Sequence, residues 1–335
     1  MRVLVTGASG FIGSAICSRL ASGNNVIGVD KVSAASQKNF VSEQTDLTDF
    51  NSAIAICKKY SPDVVIHCAG IAHQKIGVVD SATYMRVNSE ATENLAKAAA
   101  KSNPGVCFVF FSSVSVYGEH PQITQISQIK RTKANNDNTV DEDGECRPSS
   151  DYAVSKLDAE RRLIALYDGG KLHNLVILRL APVYDRYWSL NLDRRVFAPK
   201  KLAYLRFGSG SQKMSALARP NLIDFIEFLL QEHGQKDYQN LRILNVCDAE
   251  DYQFNKIIKV FTKSGTHPDR PVISVPLSPV WFITRIAGIF FPNKKKWIHS
   301  CYDKLAYDLV FDNGRMMGTG FAPVHSLETI FLSGK

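Results

Sequence analysis

The sequence predicts an α/β fold: a doubly wound parallel sheet with a smaller, mostly C-terminal α/β lobe. Three observations predict it. Strand-like and helix-like runs alternate through the first half of the chain. The strand runs are almost entirely apolar rather than alternating, as they are when helices cover both faces of a sheet. The chain has 335 residues, 45% of them hydrophobic and 21% charged. That is long enough for one large domain, a second lobe and a sizeable core.

The elements follow in order. "RVLVT" (2–6) is a short apolar strand, and a glycine-punctuated turn leads into a helix reaching about Ser22. "NVIGVD" (25–30) is the second strand, and "NFVSEQTD" (39–46) holds a short third one. A helix covers about 49–59, "DVVIHCA" (63–69) is a strand, and 82–101 is one long helix with Ala and Leu spacing. "VCFVFFSS" (106–113) is another strand. Residues 119–148 are polar with few large apolar residues, and read as a long surface loop. Regular structure returns at Ser149, where two serines and Asp151 follow Pro148 as N-cap candidates before a helix-forming run. "LVILRL" (175–180) is a further strand; a helix near 221–232, the strand "RILNV" (242–246) and a helix near 251–263 follow. The expected division is 1–180 for the sheet domain and 181–335 for the second lobe, with returns to the sheet after 180.

The formal net charge of +8 fits an anionic partner, whether a phosphorylated small molecule, a membrane surface or nucleic acid, without choosing among them. The seven cysteines, Cys17, Cys57, Cys68, Cys107, Cys146, Cys247 and Cys301, are scattered, without a CxxC pair. They read as buried free thiols of a reducing compartment, so a cytoplasmic protein is expected, and no zinc spacing is present. The start "MRVLVTGASG" reads as a strand and not as a signal peptide.

"VTGASGFIG" joins the first strand to the first helix with Gly7, Gly10 and Gly13. Glycines there allow a tight turn, close approach of backbone to a pyrophosphate, and close packing of helix on strand. The helix N-terminus then offers free N–H groups to the phosphates. In a βαβ unit this is the Rossmann-type dinucleotide site. Asp30 ends the second strand, where a carboxylate accepts from ribose hydroxyls and repels a 2′-phosphate, so NAD is expected over NADP. Lys31 tempers that preference.

"SSDYAVSK" (149–156) places Tyr152 and Lys156 about one helical turn apart, on one face. With the glycine turn this resembles the extended short-chain dehydrogenase/reductases, in particular the NAD-dependent epimerase/dehydratase family acting on nucleotide sugars. The resemblance runs over nearly the whole chain. "TGASGFIG" is similar to the family's cofactor loop, which adds Phe11 and Ile12 to the glycines. "TDLTD" (45–49) resembles the segment whose acid, here Asp46 with Leu47 beside it, contacts adenine. "HCAG" (67–70) resembles the strand end beside the cofactor, giving Ala69 and Gly70. "VNSEATENL" (87–95) resembles the helix carrying an active-site Asn, here Asn88. "FFSSVSVYG" (110–118) is similar to the strand bearing the catalytic Ser/Thr, here Ser113, with Ser115 as a further substrate contact. "TGFAPVHSLETI" (319–330) resembles the C-terminal signature.

The resemblance implies that Ser113, Tyr152 and Lys156 form the catalytic centre, Tyr152 shuttling the proton while Lys156 lowers its pKa and holds the nicotinamide ribose. It implies a nucleotide-sugar substrate and NAD-dependent oxidoreduction at C4, as an epimerase acting on a UDP-hexose. The alternative is a one-way reductase of a nucleotide 4-keto-sugar. Val114 and Ser115 stand where dehydratases of the family carry an Asp-Glu pair, which argues against water elimination. "LRLAPVYD" is near the family's Arg-Pro-x-x-Val-Tyr-Gly form, with Asp185 replacing the Gly. "FGSGSQKMS" (207–215) resembles the segment that grips the nucleotide diphosphate, but Met214 holds the Arg position. Lys213 or Arg219 is expected to supply that charge, with Arg194 or Arg195 as further candidates. Asn221 stands where an Asp is usual.

Other classes fit less well. "IKRTKANN" (129–136) is basic but lacks interleaved aromatics and precedes an acidic run, so no nucleic-acid partner is expected. Residues 276–298 mix aromatics, apolars and a Lys run. The favoured reading is a lobe helix of about 12 residues, bounded by Pro279 and Pro292, with a solvated Lys loop; the other is weak contact with a membrane surface. A non-catalytic NAD-binding scaffold or sensor would have lost Tyr152 or Lys156, and both are present. No metal is expected, and a homodimer is among the expected partners.

Overall fold

The computed structural model describes residues 1–32, 40–72, 78–118, 139–233, 241–292 and 295–333. The expected loop therefore lies outside the described residues over 119–138, as does "IKRTKANN".

The chain divides into two compact units. The first comprises Met1–Val116, Pro148–Arg179 and Ile223–Leu244; the second comprises Tyr117–Arg147, Leu180–Leu222 and Asn245–Lys335. The main sheet has seven strands: β1 (Arg2–Thr6), β2 (Asn25–Asp30), β3 (Val41–Gln44), β4 (Val64–His67), β5 (Cys107–Ser113), β6 (Asn174–Leu180) and β11 (Leu241–Val246). Their order is β11-β6-β5-β4-β1-β2-β3, and β1–β2, β2–β3, β1–β4 and β4–β5 run parallel. The order reverses between β1 and β4, and in such sheets the crevice beyond the strand ends at that switch point takes the ligand. The doubly wound α/β expectation is met, because buried strands such as "VVIH" and "NLVILRL" keep both faces covered.

The helices of this part are α1 (Gly13–Leu20), α2 (Phe50–Tyr60), α3 (Ser81–Met85), α4 (Ala91–Ser102) and α5 (Asp151–Asp168). Asp49 caps α2 by accepting from the N–H groups of Asn51 and Ser52, and Ser150 caps α5 by accepting from Ala153. The helix expected over 82–101 is not continuous. A π-helical turn, Arg86–Glu90, separates α3 from α4 and contains Asn88. π-turns are rare and often sit at functional positions. The first helix also ends at Leu20, two residues before the expected stop. The core joins Leu4, Val29, Val65, Leu95, Phe108, Phe110, Leu163 and Ile177 from β1, β2, β4, α4, β5, α5 and β6.

The remaining elements are β7 (Val183–Tyr184), α6 (Leu190–Val196), β8 (Tyr204–Phe207), β9 (Lys213–Met214), β10 (Leu217–Ala218), α7 (Arg219–His233), β12 (Tyr252–Gln253), α8 (Phe254–Ser264), β13 (Val272–Val275), α9 (Leu277–Phe290), α10 (Lys295–Ala306), α11 (Gly314–Met317) and α12 (Leu327–Leu332). The second unit has its own core of Tyr184, Tyr204, Met214, Tyr252, Phe261 and Phe331. Pro292 follows the end of α9 as expected, but Pro279 does not bound its start. Pro279 falls in its first turn, where the missing N–H is an orphan anyway, and the helix runs on to Phe290.

Candidate active site

The glycine turn is built for close approach. Gly7 has φ +68°, in the region that side chains disfavour. A Cβ on it would lie 2.9 Å from the Ala69 nitrogen, and one on Gly13 would lie 2.2 Å from the Gly7 carbonyl oxygen. Ile12 leads into α1 without a side-chain cap, and the first turn of the helix holds no acid. Gly10 donates its N–H back to the Gly7 carbonyl, and Phe11 and Ile12 complete the turn, half-buried. Asp30 accepts from the Ser9 N–H at 2.9 Å, which fixes its carboxylate beside the turn. Lys31 is turned to Asp46, Nζ to Oδ2 2.9 Å. The Thr48 hydroxyl, then Lys31 and the Thr48 N–H, hold the Asp46 carboxyl down at about 2. Leu47 beside it is buried. A tight turn, an uncapped helix start and a fixed carboxylate after the second strand fit a dinucleotide.

A second set of residues gathers behind the ends of β4 and β5. The Ala69 N–H donates to the Thr6 hydroxyl at 3.1 Å, and Thr6 meets His67 Nδ1 at 2.7 Å. His67 Nε2 meets the Thr92 hydroxyl at 2.8 Å, which donates to the Asn88 carbonyl. Because Thr92 spends its proton on that carbonyl, His67 donates from Nε2 and accepts at Nδ1. Burial, then the nearby charge of Lys156, drives the imidazole pKa down to about 3. His67 is thus a neutral strut, a role the "HCAG" pattern alone did not disclose.

This buried neutral histidine makes a pH prediction. The unfolded chain takes a proton near pH 6.5, and the folded protein refuses it until about 3. The contribution is complete above about 6.5 and is lost as the pH falls toward 3. Between pH 6.5 and 5 the loss is about 2 kcal/mol, at about 1.4 kcal/mol per unit. Urea unfolding of the wild type and His67→Gln at both pH values checks this. Equal pH slopes in the two proteins would refute it.

Asn88 is buried and uses its amide on the backbone: Oδ1 accepts from the Ile71 N–H at 2.7 Å, and Nδ2 donates to the Ile71 carbonyl and to Ser155 Oγ, both at 3.0 Å. The π-turn thereby pins the segment after β4. A Cβ on Gly70 would come within 3.0 Å of Asn88 Oδ1 and 3.4 Å of Lys156 Nζ. Lys156 donates to the Phe111 carbonyl at 2.8 Å and lies over the Phe110 ring. Burial lowers its pKa to about 8.

Ser113 is the centre of a hydroxyl chain. It accepts from both the N–H (3.2 Å) and the hydroxyl (3.0 Å) of Ser115, and it hydrogen-bonds the Tyr152 side chain. Two incoming donors fill both lone pairs of Ser113, so its own proton faces Tyr152. The structure does not show Lys156 lowering the Tyr152 pKa. Burial raises the phenol above its ordinary value and Ser113 alone opposes this, while one N–H of the Lys156 ammonium goes to the Phe111 carbonyl. The structure brings Ser113, Ser115, Tyr152, Lys156, Gly70 and Asn88 together within the first unit.

Behind this centre, Glu160 lies one turn after Lys156 on α5 and forms a buried pair with Arg179 of β6, Nη2 to Oε2 2.7 Å. Ser112, next to Ser113, donates to the same carboxylate. Neither Ser112 nor Glu160 stood out in the sequence, because both read as ordinary strand and helix positions.

The sequence pattern of the NAD dependent epimerase/dehydratase family matches residues 3–247. The chain belongs to that family. A member of it is an NAD-dependent enzyme. UDP-glucose 4-epimerase of Vibrio cholerae is 29% identical over 301 residues, covering 86% of this chain and 82% of that protein. N-acetyl-alpha-D-glucosaminyl-diphospho-ditrans,octacis-undecaprenol 4-epimerase of Escherichia coli O157:H7 is 25% identical over 261 residues, covering 76% of this chain and 70% of that protein. The UDP-glucose 4-epimerase of Thermotoga maritima, solved with UDP-glucose, superposes with a TM-score of 0.70 at 21% identity, covering 99% of this chain and 96% of that one.

Lys213 and Arg219 belong to the second unit. Successive residues of a strand face opposite ways, and on β9 Met214 points into the core while Lys213 is exposed. Lys213 therefore does not replace a side chain at 214. Arg219 pairs with Asp185, the residue that departs from the family's Gly. Arg195 donates to the Lys304 carbonyl and Arg194 is exposed. Asn221 also has a structural reason. Its amide donates to the buried Asp248 carboxylate at 2.7 Å and accepts from the Val324 and His325 N–H groups. An Asp there would set one carboxylate against another.

Proposed function

We propose that the protein is an NAD-dependent epimerase acting at C4 of a nucleotide sugar, a UDP-hexose, through Ser113, Tyr152 and Lys156. The Ser115–Ser113–Tyr152 hydroxyl chain carries this reading, because it leaves one proton donor aimed at a phenol. NAD, held by the glycine turn, Asp30 and Lys156, would supply the hydride chemistry at the sugar carbon. Tyr152 takes the proton from the sugar hydroxyl at its phenol oxygen and gives it back on return. Ser113 steadies the same oxygen through its remaining proton. Lys156, anchored on Phe111, places positive charge at Gly70, on the nicotinamide ribose side. Gly7, Gly10 and Gly13 admit the pyrophosphate, Asp30 the adenosine ribose, and Asp46 with Leu47 the adenine; Ala69, Gly70 and Asn88 shape the nicotinamide side.

The direct test is a panel of UDP-sugars, with the purified protein assayed for epimers and its retained cofactor identified by mass. An epimerase interconverts a sugar with no added NADH; turnover only of a 4-keto-sugar with added NADH identifies a one-way reductase instead.

A diphosphate needs cationic or N–H partners. Arg219 is the candidate in the second unit, and Lys213 is the comparison. Arg219→Met should raise KM for the nucleotide sugar about tenfold, the loss of about 1.4 kcal/mol, with kcat barely changed. Lys213→Met should change it less. Unchanged KM in both variants would shift the role to Arg194 or Arg195.

One observation favours a second reading. A Cβ on Gly208, in the segment read as the diphosphate grip, would lie 3.1 Å from Leu277, the first residue of α9. That helix is apolar on its exposed side. A lipid-linked diphospho-sugar, the substrate class named for the Escherichia coli relative, suits that neighbour better than a nucleoside. Including such a substrate in the panel separates the two.

A further inference from the structure

Helix α9 is inside out. A helix on a water-soluble surface turns its bulky apolar stripe to the core and small or polar residues to solvent. In α9 the half-buried or buried positions are Leu277, Val280, Thr284, Ala287 and Gly288, mostly small. The exposed positions carry Trp281, Phe282 (59% exposed), Ile283 (64%), Ile286, Ile289 (75%) and Phe290 (74%), with Phe291 following. At about 100° per residue these large side chains cover roughly half the helix circumference. The orientation is fixed by close packing on α10: a Cβ at Gly288 would lie 3.0 Å from His299 Nε2 and 3.2 Å from Lys295 Cγ. Turning the bulky side inward would require that contact to open.

The stretch of chain that carries this face is basic, and the first carboxylate after it is Asp303 on α10. Between Asp269 and Asp303 the sequence holds Arg270, Arg285, Lys294, Lys295 and Lys296 and no Asp or Glu. Arg285 is exposed beside the Trp281 ring, and Lys295 is exposed at the start of α10. No helix of the described residues is long and apolar enough to cross a membrane.

We propose that α9 is an interfacial helix that lays its bulky apolar face into an anionic lipid bilayer, with Arg285 and Lys295 available to the headgroups. The pattern of Trp, Phe and Ile on one side with flanking cations is what an interface rewards: buried apolar area plus attraction to negative headgroups. A second copy of this face is disfavoured, because a two-fold contact would set a basic, carboxylate-free stretch against itself. The proposal does not depend on the sugar the enzyme takes, and its test does not use activity.

The whole protein is floated with vesicles of phosphatidylcholine and phosphatidylglycerol in equal parts, and with phosphatidylcholine alone. Wild type should float with the mixed vesicles, at least about tenfold less with the neutral ones, and progressively less as salt rises. Ile289→Glu and Phe282→Glu should each cut recovery at least about tenfold. Both should melt as wild type does, since neither side chain is in the core. Emission from Trp281, taken by difference against Trp281→Phe, should shift to the blue on mixed vesicles. Failure to float, equal recovery of the Glu variants, or equal recovery on both vesicle types overturns the proposal. So does a lipid-free dimer that Phe282→Glu dissociates.

Discussion

Tyr152→Phe should lower kcat by a factor of about 10² or more, the scale of a positioned acid/base, while NAD binding stays nearly unchanged. The variant removes one oxygen from a residue of α5 whose neighbours hold their places without it. Lys156 stays tied to the Phe111 carbonyl, and Asn88 to Ile71 and Ser155. The folding cost is that of one hydrogen bond, about 1 kcal/mol, because Ser113 loses the acceptor for its proton. Cofactor binding by calorimetry, urea unfolding and turnover on the sugar from the panel together separate chemistry from stability. Near-normal turnover would remove Tyr152 from the proton path. Ser115→Ala is a companion: it frees a lone pair on Ser113, and a smaller fall in kcat with unchanged KM would follow from looser aim of the Ser113 proton.

The largest effect on stability is expected from the Glu160–Arg179 pair. Both groups are almost wholly buried, at 1% and 6% side-chain exposure. Arg179→Met strands a carboxylate in the core and should cost about 3–5 kcal/mol, as removal of one member of a buried pair does. Glu160→Gln combined with Arg179→Met should recover a good part of that loss, since the double variant buries no unpaired charge. Urea unfolding of the four proteins measures it. A loss under about 1 kcal/mol in Arg179→Met, or a double variant no better than the single, would show that the pair does not couple β6 to α5.

The sheet was legible because parallel strands buried on both faces are almost entirely apolar without alternation, and because the glycines after β1 and the serines before Tyr152 mark helix starts. The π-turn was not legible. No residue type in "RVNSE" announces an extra residue in a helix; the turn is selected by what Asn88 must reach on Ile71 and Ser155. Tyr152, Lys156 and Ser113 stood out by spacing and resemblance, but the direction of each hydrogen bond did not. That depends on Ser115 and the Phe111 carbonyl on either side of Ser113, and on Thr92 from another helix. Helix α9 shows the opposite limit. Its hydrophobicity was plain, and the ordinary inference put that hydrophobicity inside; only the close packing at Gly288 reveals which side faces out.

The three-part make-up of the first unit bears on how the chain is born. β6 pairs on one side with β11, which is made some sixty residues later and belongs to the third segment. While a ribosome is still synthesising that interval, the mostly apolar strand "NLVILRL" has an open edge, for several seconds at roughly 5–20 residues per second. Nascent chains stalled before residue 241 should therefore stay bound to holdase chaperones. A fragment cut after residue 180 should aggregate rather than yield a free-standing cofactor domain.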